Sequence, residues 1–426
     1  MASWPSGFRR EWNARSTTRD AVTPRPSRLA VLGGSPAFVE ALHVGRPNTG
    51  DRRAFLARMD DVLDRRWLTN NGPYLCELEV RIAEFLGVRH CVAVCNGTMA
   101  LQIMMAACGV SGEVIMPSFT FVATAHAVTW QGATPVFCDV DPATHNIDPD
   151  KVEGLITDAT SAILGVHVWG RACDVAELQR LSDRHDLRLC FDAAHAFGCT
   201  SAGRMIGGFG LAEAFSFHAT KFFSTFEGGA VATNDDTVAK RCRAMRDFGF
   251  AGPDRVIALG INGKMSEPAA AMGLTNLEAL QTFIDWNRRN HHLYSDGLSG
   301  IPGLTVVPYA ANERGNYQYV IVEVDGAVSP LDRDELLVVL HAESVLARRY
   351  FYPGCHRMVP YGAWPLRAPL PETEKLTCQT LALPTGTAVS EGEVAEVCRI
   401  ARQALADAPA VKRAVAAAVA TYNAVI

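Results

Sequence analysis

From about residue 60 onward, short apolar runs alternate with stretches of helical period. Residues 60–85 read as two helices divided by Thr69-Asn70-Asn71-Gly72-Pro73, a strong local breaker. Apolar runs at 91–95, 114–116, 135–140, 162–168, 187–194, 214–217 and 230–233 read as strands, and 98–108, 122–130, 174–185 and 235–248 as helices. The runs are apolar throughout rather than alternating, so both faces of the sheet must be covered. That predicts a mainly parallel sheet between helices, with room for at least six strands in 90–235. Further on, 266–298 reads as one long helix leading to a second region. There, strands at 304–307 and 317–324 mix with helices at 331–343, 372–381 and 390–405, which predicts a smaller α+β domain. The Ala/Val-rich stretch after Pro409 reads either as a packed helix or as a frayed end.

Composition narrows the function classes. A chain of 426 residues fits two domains at roughly 100–200 residues each. Forty Lys+Arg against 45 Asp+Glu leave a net charge of −5, so nothing draws the whole molecule to nucleic acid or an anionic membrane. No apolar segment approaches the roughly 20 residues of a bilayer helix. The 12 cysteines are scattered without a C-x-x-C, and Cys91 and Cys95 sit in an apolar run, so they read as small buried hydrophobes of a reducing cytoplasm. Residues 1–28 carry six arginines (Arg9, Arg10, Arg15, Arg19, Arg25, Arg28) interrupted by Pro5, Pro24 and Pro26, and read as a disordered leader rather than a transit peptide.

Three patterns fall at predicted strand ends, where open α/β sheets bind ligands. Asn96-Gly97-Thr98 between a strand and a helix reads either as a phosphate nest or as a plain helix cap. Asp192, in Phe191-Asp192-Ala193-Ala194-His195, closes an apolar strand, where a carboxylate needs a cation or several donors; a helix cap or an ion pair is the alternative. Lys221 ends Ser216-Phe217-His218-Ala219-Thr220-Lys221 among aromatic and small residues, where desolvation can leave a neutral, nucleophilic amine. A phosphate nest, a buried acid and a shielded lysine on one sheet match the three needs of pyridoxal phosphate. A dinucleotide fingerprint fails, because Glu213 stands where the third glycine after Gly208-Phe209-Gly210 belongs. His126, His167 and His218 show no metal spacing, and no metal is expected.

With these residues placed, the chain resembles sugar aminotransferases of the DegT/StrS type, from about residue 32 to 402. The resemblance rests on Asn96-Gly97-Thr98-Met99-Ala100-Leu101, Pro117-Ser118-Phe119-Thr120-Phe121, Asp192-Ala193-Ala194-His195, the Ser216–Lys221 segment and Gly260-Ile261-Asn262-Gly263-Lys264-Met265-Ser266-Glu267. It implies the α/β, aspartate-aminotransferase-like fold type I, with a mainly parallel seven-stranded sheet in a large domain over 29–285. It also implies a small α+β domain over 286–406, followed by a tail over 407–426. The cofactor it implies is pyridoxal 5'-phosphate, with pyridoxamine phosphate as the intermediate form. Lys221 matches the lysine that holds the cofactor covalently and then shuttles protons. Asp192 matches the acid on the pyridinium nitrogen, and His195 falls near the phenolic oxygen. Gly97, Thr98 and Ser216 match phosphate contacts, and Phe121 the ring-stacking aromatic. Asn262 matches a residue reaching the phosphate from a neighbouring subunit, which implies a homodimer sharing its active sites.

Some members of this family replace the lysine with histidine and act as sugar 3-dehydratases; Lys221 favours transamination. Residues 42–47, 67–73, 167–170 and 349–356 resemble the enzymes that aminate C4 of dTDP-4-keto-6-deoxyglucose, with L-glutamate as donor. Alternatives are a C3 aminotransferase on a 3-keto nucleotide sugar, a same-fold sugar dehydratase, and a non-catalytic binding or regulatory protein. The nucleotide diphosphate needs cations. Arg348, beside Arg349, Tyr350 and Tyr352, and Lys264 are the expected contacts, and Thr69 and Asn70 are expected to line the sugar pocket; the alternative for the arginines is a solvated strand edge.

Overall fold

Asn70 and Asn71 both take a left-handed backbone (φ 63 and 56), and Pro73 opens the following helix, so the breaker separates two helices as the pattern predicts. The computed structural model describes residues 28–424; the leader predicted over 1–28 lies, but for Arg28, outside them. Along the chain, β1 (Leu42–His43), α1 (Arg52–Arg65) and α2 (Pro73–Leu86) come before β2 (His90–Val94), α3 (Gly97–Ala107), β3 (Glu113–Pro117) and α4 (Val122–Trp130). Then come β4 (Thr134–Cys138), α5 (Pro149–Glu153), β5 (Thr160–Val166), α6 (Val175–Arg184) and β6 (Arg188–Asp192). A small hairpin, β7 (Thr200–Ser201) and β8 (Arg204–Met205), precedes β9 (Ala212–Ser216), β10 (Gly229–Thr233), α7 (Asp236–Met245), α8 (Glu267–Glu278) and α9 (Leu280–Gly297). The remainder is β11 (Leu304–Val306), β12 (Val320–Val324), α10 (Arg333–Ala342), β13 (Val345–Leu346), α11 (Pro371–Gln379), β14 (Thr380–Leu383), α12 (Glu391–Ala406) and α13 (Ala408–Ala424).

Seven strands form the large sheet, in the order β2-β10-β9-β6-β5-β3-β4. All neighbours run parallel except β10, which is antiparallel to both β2 and β9. Its reversal places the first residue of β10, Gly229, opposite Val94 and Ser216 at the ends of β2 and β9. Two apolar layers cover the sheet, one built on α2, α6 and α8 and the other on α3, α4 and α7. Among the described residues no helix is long and apolar enough to cross a membrane.

The structure corrects the pattern in four places. The long helix over 266–298 is two helices broken at Ala279, because apolar period reports a buried face and is blind to a change of axis. Leu280, Phe283 and Ile284 at the start of α9 join the large core, while Tyr294 near its end joins the small one. Residues 380 and 381, read as the end of a helix over 372–381, instead open β14 on β12, since so short an apolar run suits either state. Of the two readings of the stretch after Pro409, the packed helix holds, so the tail expected from 407 is part of the small domain: α13 runs from Ala408 to Ala424 and buries Val411 and Val415 in the small core. Finally, the chain from residue 29, expected in the large domain, packs on the small one. Leu29 and Leu42 enter its core, β1 pairs with β13, and the buried Glu343 accepts the Ala30 and Ala37 N–H groups at 2.7 and 2.8 Å.

Candidate active site

Three strand ends of the large sheet bring the site together. After β2, the Asn96 side chain accepts the Met99 N–H at 2.9 Å and caps α3. Asn96, not Thr98, is therefore the cap. The Gly97 and Thr98 N–H groups remain among the unpaired first-turn donors of the helix, at the positive end of its dipole. A Cβ on Gly97 would lie 2.6 Å from the Ser216 Cβ, and one on Gly229 would lie 2.7 Å from the Asn96 carbonyl carbon. Only glycine lets β2, β9 and β10 close around that helix start, and the closure sets Ser216 beside it.

Asp192, at the end of β6, is 5 % exposed. Its Oδ2 accepts the Thr124 hydroxyl at 2.7 Å and its Oδ1 the Ala194 N–H at 3.0 Å. Thr124 Oγ1 in turn lies 2.9 Å from the Thr120 hydroxyl. Burial raises the carboxyl above its ordinary range, against the pull of Thr124, Ala194 and the Lys221 charge. Among the described residues no cation comes within ion-pair distance of it. A buried carboxylate with neutral donors and a cation-shaped deficit suits a protonated ring nitrogen.

His195 lies three residues on. Its Nδ1 accepts the Trp169 N–H at 3.2 Å, which leaves the proton on Nε2. Burial, reinforced by the Lys221 charge, pushes its pKa well below the usual value, so the ring is a neutral donor. It stacks on Phe351 at 5.9 Å and meets the edge of Tyr319 at 4.9 Å. Lys221 follows β9. Burial lowers its pKa to about 8, with Tyr350 and Asp192 holding it back from a larger fall. Its Nζ lies 3.4 Å from the Tyr319 hydroxyl.

A second buried network supports this floor. Glu213 accepts the Gly207 and Phe209 N–H groups, both at 2.7 Å, and faces His167 Nε2 at 3.2 Å. His167 Nδ1 accepts the Cys173 N–H, so the ring carries its proton toward Glu213, and the backbone N–H of His167 donates to the Asp192 carbonyl. The glycine-rich turn, which fails as a dinucleotide fingerprint, is thus filled by the chain's own carboxylate. His126 pairs with Tyr361, and His218 with Thr220 and Glu227.

The other expected residues divide. Phe121 caps α4 with its ring 56 % exposed, one turn before Thr124. Asn262 is exposed on the arm between α7 and α8, where it bridges to Asp247. Thr69 is exposed in the α1–α2 turn. Asn70 and Lys264 line a cavity of about 780 Å³ with Lys240, Arg243, Phe248 and Phe250. There Lys264 pairs with Asp247 at 2.8 Å and lies over Phe248. Arg348 is exposed beside Tyr350 and, with Arg46, holds His43 below its usual pKa after burial has lowered it. Tyr352 is not brought to Lys221: Arg349 and Arg333 lie over its ring at 4.3 and 5.2 Å, and Arg349 is anchored to Asp334. Tyr350, two residues earlier, approaches the amine instead.

No motif singled out Thr124 or Tyr319, and Trp169 and Tyr350 stood within motifs without a role for either at the lysine or His195. Thr124 was within reach, in the first turn of α4 directly after the Pro117–Phe121 motif at the end of β3. Tyr319 lies 98 residues from Lys221, in the small domain, and carries no local signal.

Gly97, Thr98 and Ser216 for a phosphate, Asp192 for a ring nitrogen and Lys221 for an aldehyde form one set, and it fits pyridoxal phosphate. Residues 50–402 match the DegT/DnrJ/EryC1/StrS aminotransferase family. A dTDP-4-amino-4,6-dideoxy-D-glucose transaminase of Escherichia coli is 35% identical over 364 residues, 85% of this chain and 98% of its own. A GDP-perosamine synthase of Caulobacter vibrioides is 34% identical over 350 residues, 81% of this chain and 94% of its own. The crystal structure of DesI in the presence of its TDP-sugar product aligns with a TM-score of 0.86 at 50% identity, covering 92% of this chain and 98% of its own.

Proposed function

The chain belongs to the DegT/DnrJ/EryC1/StrS aminotransferase family, a pyridoxal phosphate-dependent family, and from that premise we propose its reaction. It moves the amino group of L-glutamate to C4 of a nucleotide-linked 4-keto-6-deoxy sugar. The substrate is dTDP-4-dehydro-6-deoxy-D-glucose and the product dTDP-4-amino-4,6-dideoxy-D-glucose. The observation that carries this reading is the 50% identity, over nearly the whole chain, to a protein solved with its TDP-sugar product.

Pyridoxal phosphate, when bound, supplies the aldehyde that receives the amino group and a ring that spreads the electrons of a broken C–H bond. The α3 N-terminus, Thr98 and Ser216 would hold its phosphate, and Phe121 would cover its ring. Asp192 would keep the ring nitrogen protonated, an ion pair that offsets the cost of burying the carboxylate. His195 would donate its Nε2 proton to the ring oxygen. Lys221, with a pKa lowered to about 8, has an appreciable neutral fraction near neutral pH. It takes the proton from the glutamate carbon and later delivers one to the sugar carbon, which fixes a single configuration at C4. Arg348 would bind the diphosphate, and Asn70 and Lys264 the outer part of the nucleotide sugar.

The arm between α7 and α8 exposes Phe248, Phe250, Val256, Ile257, Leu259 and Ile261. Such an apolar face calls for a partner surface. We assign it to a second copy of the chain, with Asn262 turned to that copy's phosphate site. All 12 cysteines are free, most of them buried, which supports a reducing cytoplasm.

The test incubates the purified protein with glutamate and a panel of 3-keto and 4-keto nucleotide sugars and locates the new amine by NMR. Amination at C4 is expected. Amination at C3 alone overturns the position while leaving the family, and no transfer to any sugar overturns the enzyme.

A further inference from the structure

A segment of the small domain grips both catalytic loops of the large one. Asn316 Nδ2 donates to the His195 and Phe197 carbonyls at 2.7 and 3.1 Å, and its own carbonyl accepts from Asn287 at 3.2 Å. Gln318 Oε1 accepts the N–H of Phe222, the residue after Lys221, at 3.3 Å. The Phe222 carbonyl is taken by Asn48 at 3.0 Å, so the backbone beside Lys221 is held from both sides. Between these anchors Tyr319 is 6 % exposed. Its backbone N–H and carbonyl both meet the Tyr309 hydroxyl, at 3.4 and 3.2 Å, and its ring is wedged between His195 and Tyr350. Its one polar atom is thereby carried to within 3.4 Å of Lys221 Nζ.

We propose that Tyr319 is a positioning residue for the transamination: its hydroxyl accepts a hydrogen bond from the Lys221 amine and holds that amine beside His195 whenever it is free of the cofactor. The assignment rests on the transaminase reading above. A lysine side chain has four rotatable bonds, and an amine that must take a proton at one carbon and return it at another gains from a fixed resting place. The phenol suits the task because burial raises its pKa and keeps it uncharged, so it orients the amine without fixing it as an ion pair. The charged and titratable groups facing Lys221 are Asp192 at the end of β6, His195 after it, Tyr319 before β12 and Tyr350 after β13.

Tyr319→Phe keeps the ring, and with it the contact on His195, while deleting the hydroxyl. In the apoprotein, the pH dependence of Lys221 trinitrophenylation, read on the Lys221 peptide by mass spectrometry, should move its midpoint down. An acceptor stabilises the ammonium form, and its loss lowers the pKa by about half a unit. In the holoenzyme, kcat for the glutamate half-reaction should fall about tenfold, with KM within about twofold. The isotope effect with α-deuterated glutamate should rise, because proton transfer then limits the rate. Tyr319→His, which restores an acceptor on a ring, should recover part of the midpoint and the rate. A Tyr319→Phe protein with wild-type midpoint and isotope effect overturns the proposal, as does a rate loss with an unmoved midpoint. Wild-type protein that transfers no amine would overturn the transaminase reading alone, since the apoprotein titration stands apart from turnover.

Discussion

The floor of the site and its rim are built on opposite principles. On the floor, Asp192, His195 and the Ser216–Lys221 loop follow directly from β6 and β9; Asp192 is fixed by the Ala194 amide and the Thr124 hydroxyl, and His195 Nδ1 by the Trp169 amide. The residues proposed for the rim, Arg348, Thr69, Asn70 and Asn262, are exposed, on loops drawn from both domains. Buried groups are placed by the sheet and pay for their desolvation with fixed partners. Exposed ones are placed by whatever they meet. Strand ends therefore define the chemistry, and loops define what it acts on.

Five substitutions and one pH profile probe that contrast, in descending order of effect. Lys221→Ala should lower transamination about 10³-fold or more, because proton transfer loses its base. Retained sugar turnover would instead support the dehydratase. The intact enzyme should show a glutamate half-reaction whose rate climbs with pH through an ionisation near 8. The amine must be neutral to accept a proton, and burial lowers its pKa to about 8, so acid suppresses the step and base releases it. Stopped-flow rates across pH check this; a flat profile from pH 6 to 9 goes against it.

Asp192→Ala should reduce kcat/KM about 10²-fold and weaken retention of pyridoxal phosphate in dialysis. Removing only the hydroxyl that serves it, by Thr124→Val, should cost about tenfold, the value of one hydrogen bond to a charged group. Equal effects of the two would mean that Thr124 does more than support the acid. Arg348→Gln should raise KM for the nucleotide sugar about tenfold and leave kcat and the KM for glutamate in place, the signature of lost binding alone. A rise in the glutamate KM would reassign this cation to the donor. The smallest effect is expected at Tyr352→Phe: below about twofold in either KM, since its ring packs against Arg333 and Arg349 and not into the Lys221 pocket. A larger change would return Tyr352 to the rim.

Legibility followed the same division. The helix pair around Thr69–Pro73, the seven strands of the large sheet and the three strand-end motifs were readable, because turn residues and apolar runs act over a few positions. The break at Ala279, the switch to β14 at Thr380 and the docking of residues 29–43 on the small domain were not. Each depends on what lies across space. Arg348 and Tyr352 look alike as members of one polar-aromatic run, yet one is exposed beside Tyr350 and the other is held under two guanidinium groups.

The order of residues alone placed a candidate anion nest, an acid and a lysine at the carboxyl ends of strands of one sheet, since a mainly parallel sheet sends those ends to one edge. Tertiary structure alone decided their condition: that Asp192 is buried on neutral donors, that His195 carries its proton on Nε2, and that a tyrosine from the second domain reaches the lysine. Protonation and orientation depend on desolvation and on partners distant in the chain, and neither is written in local pattern.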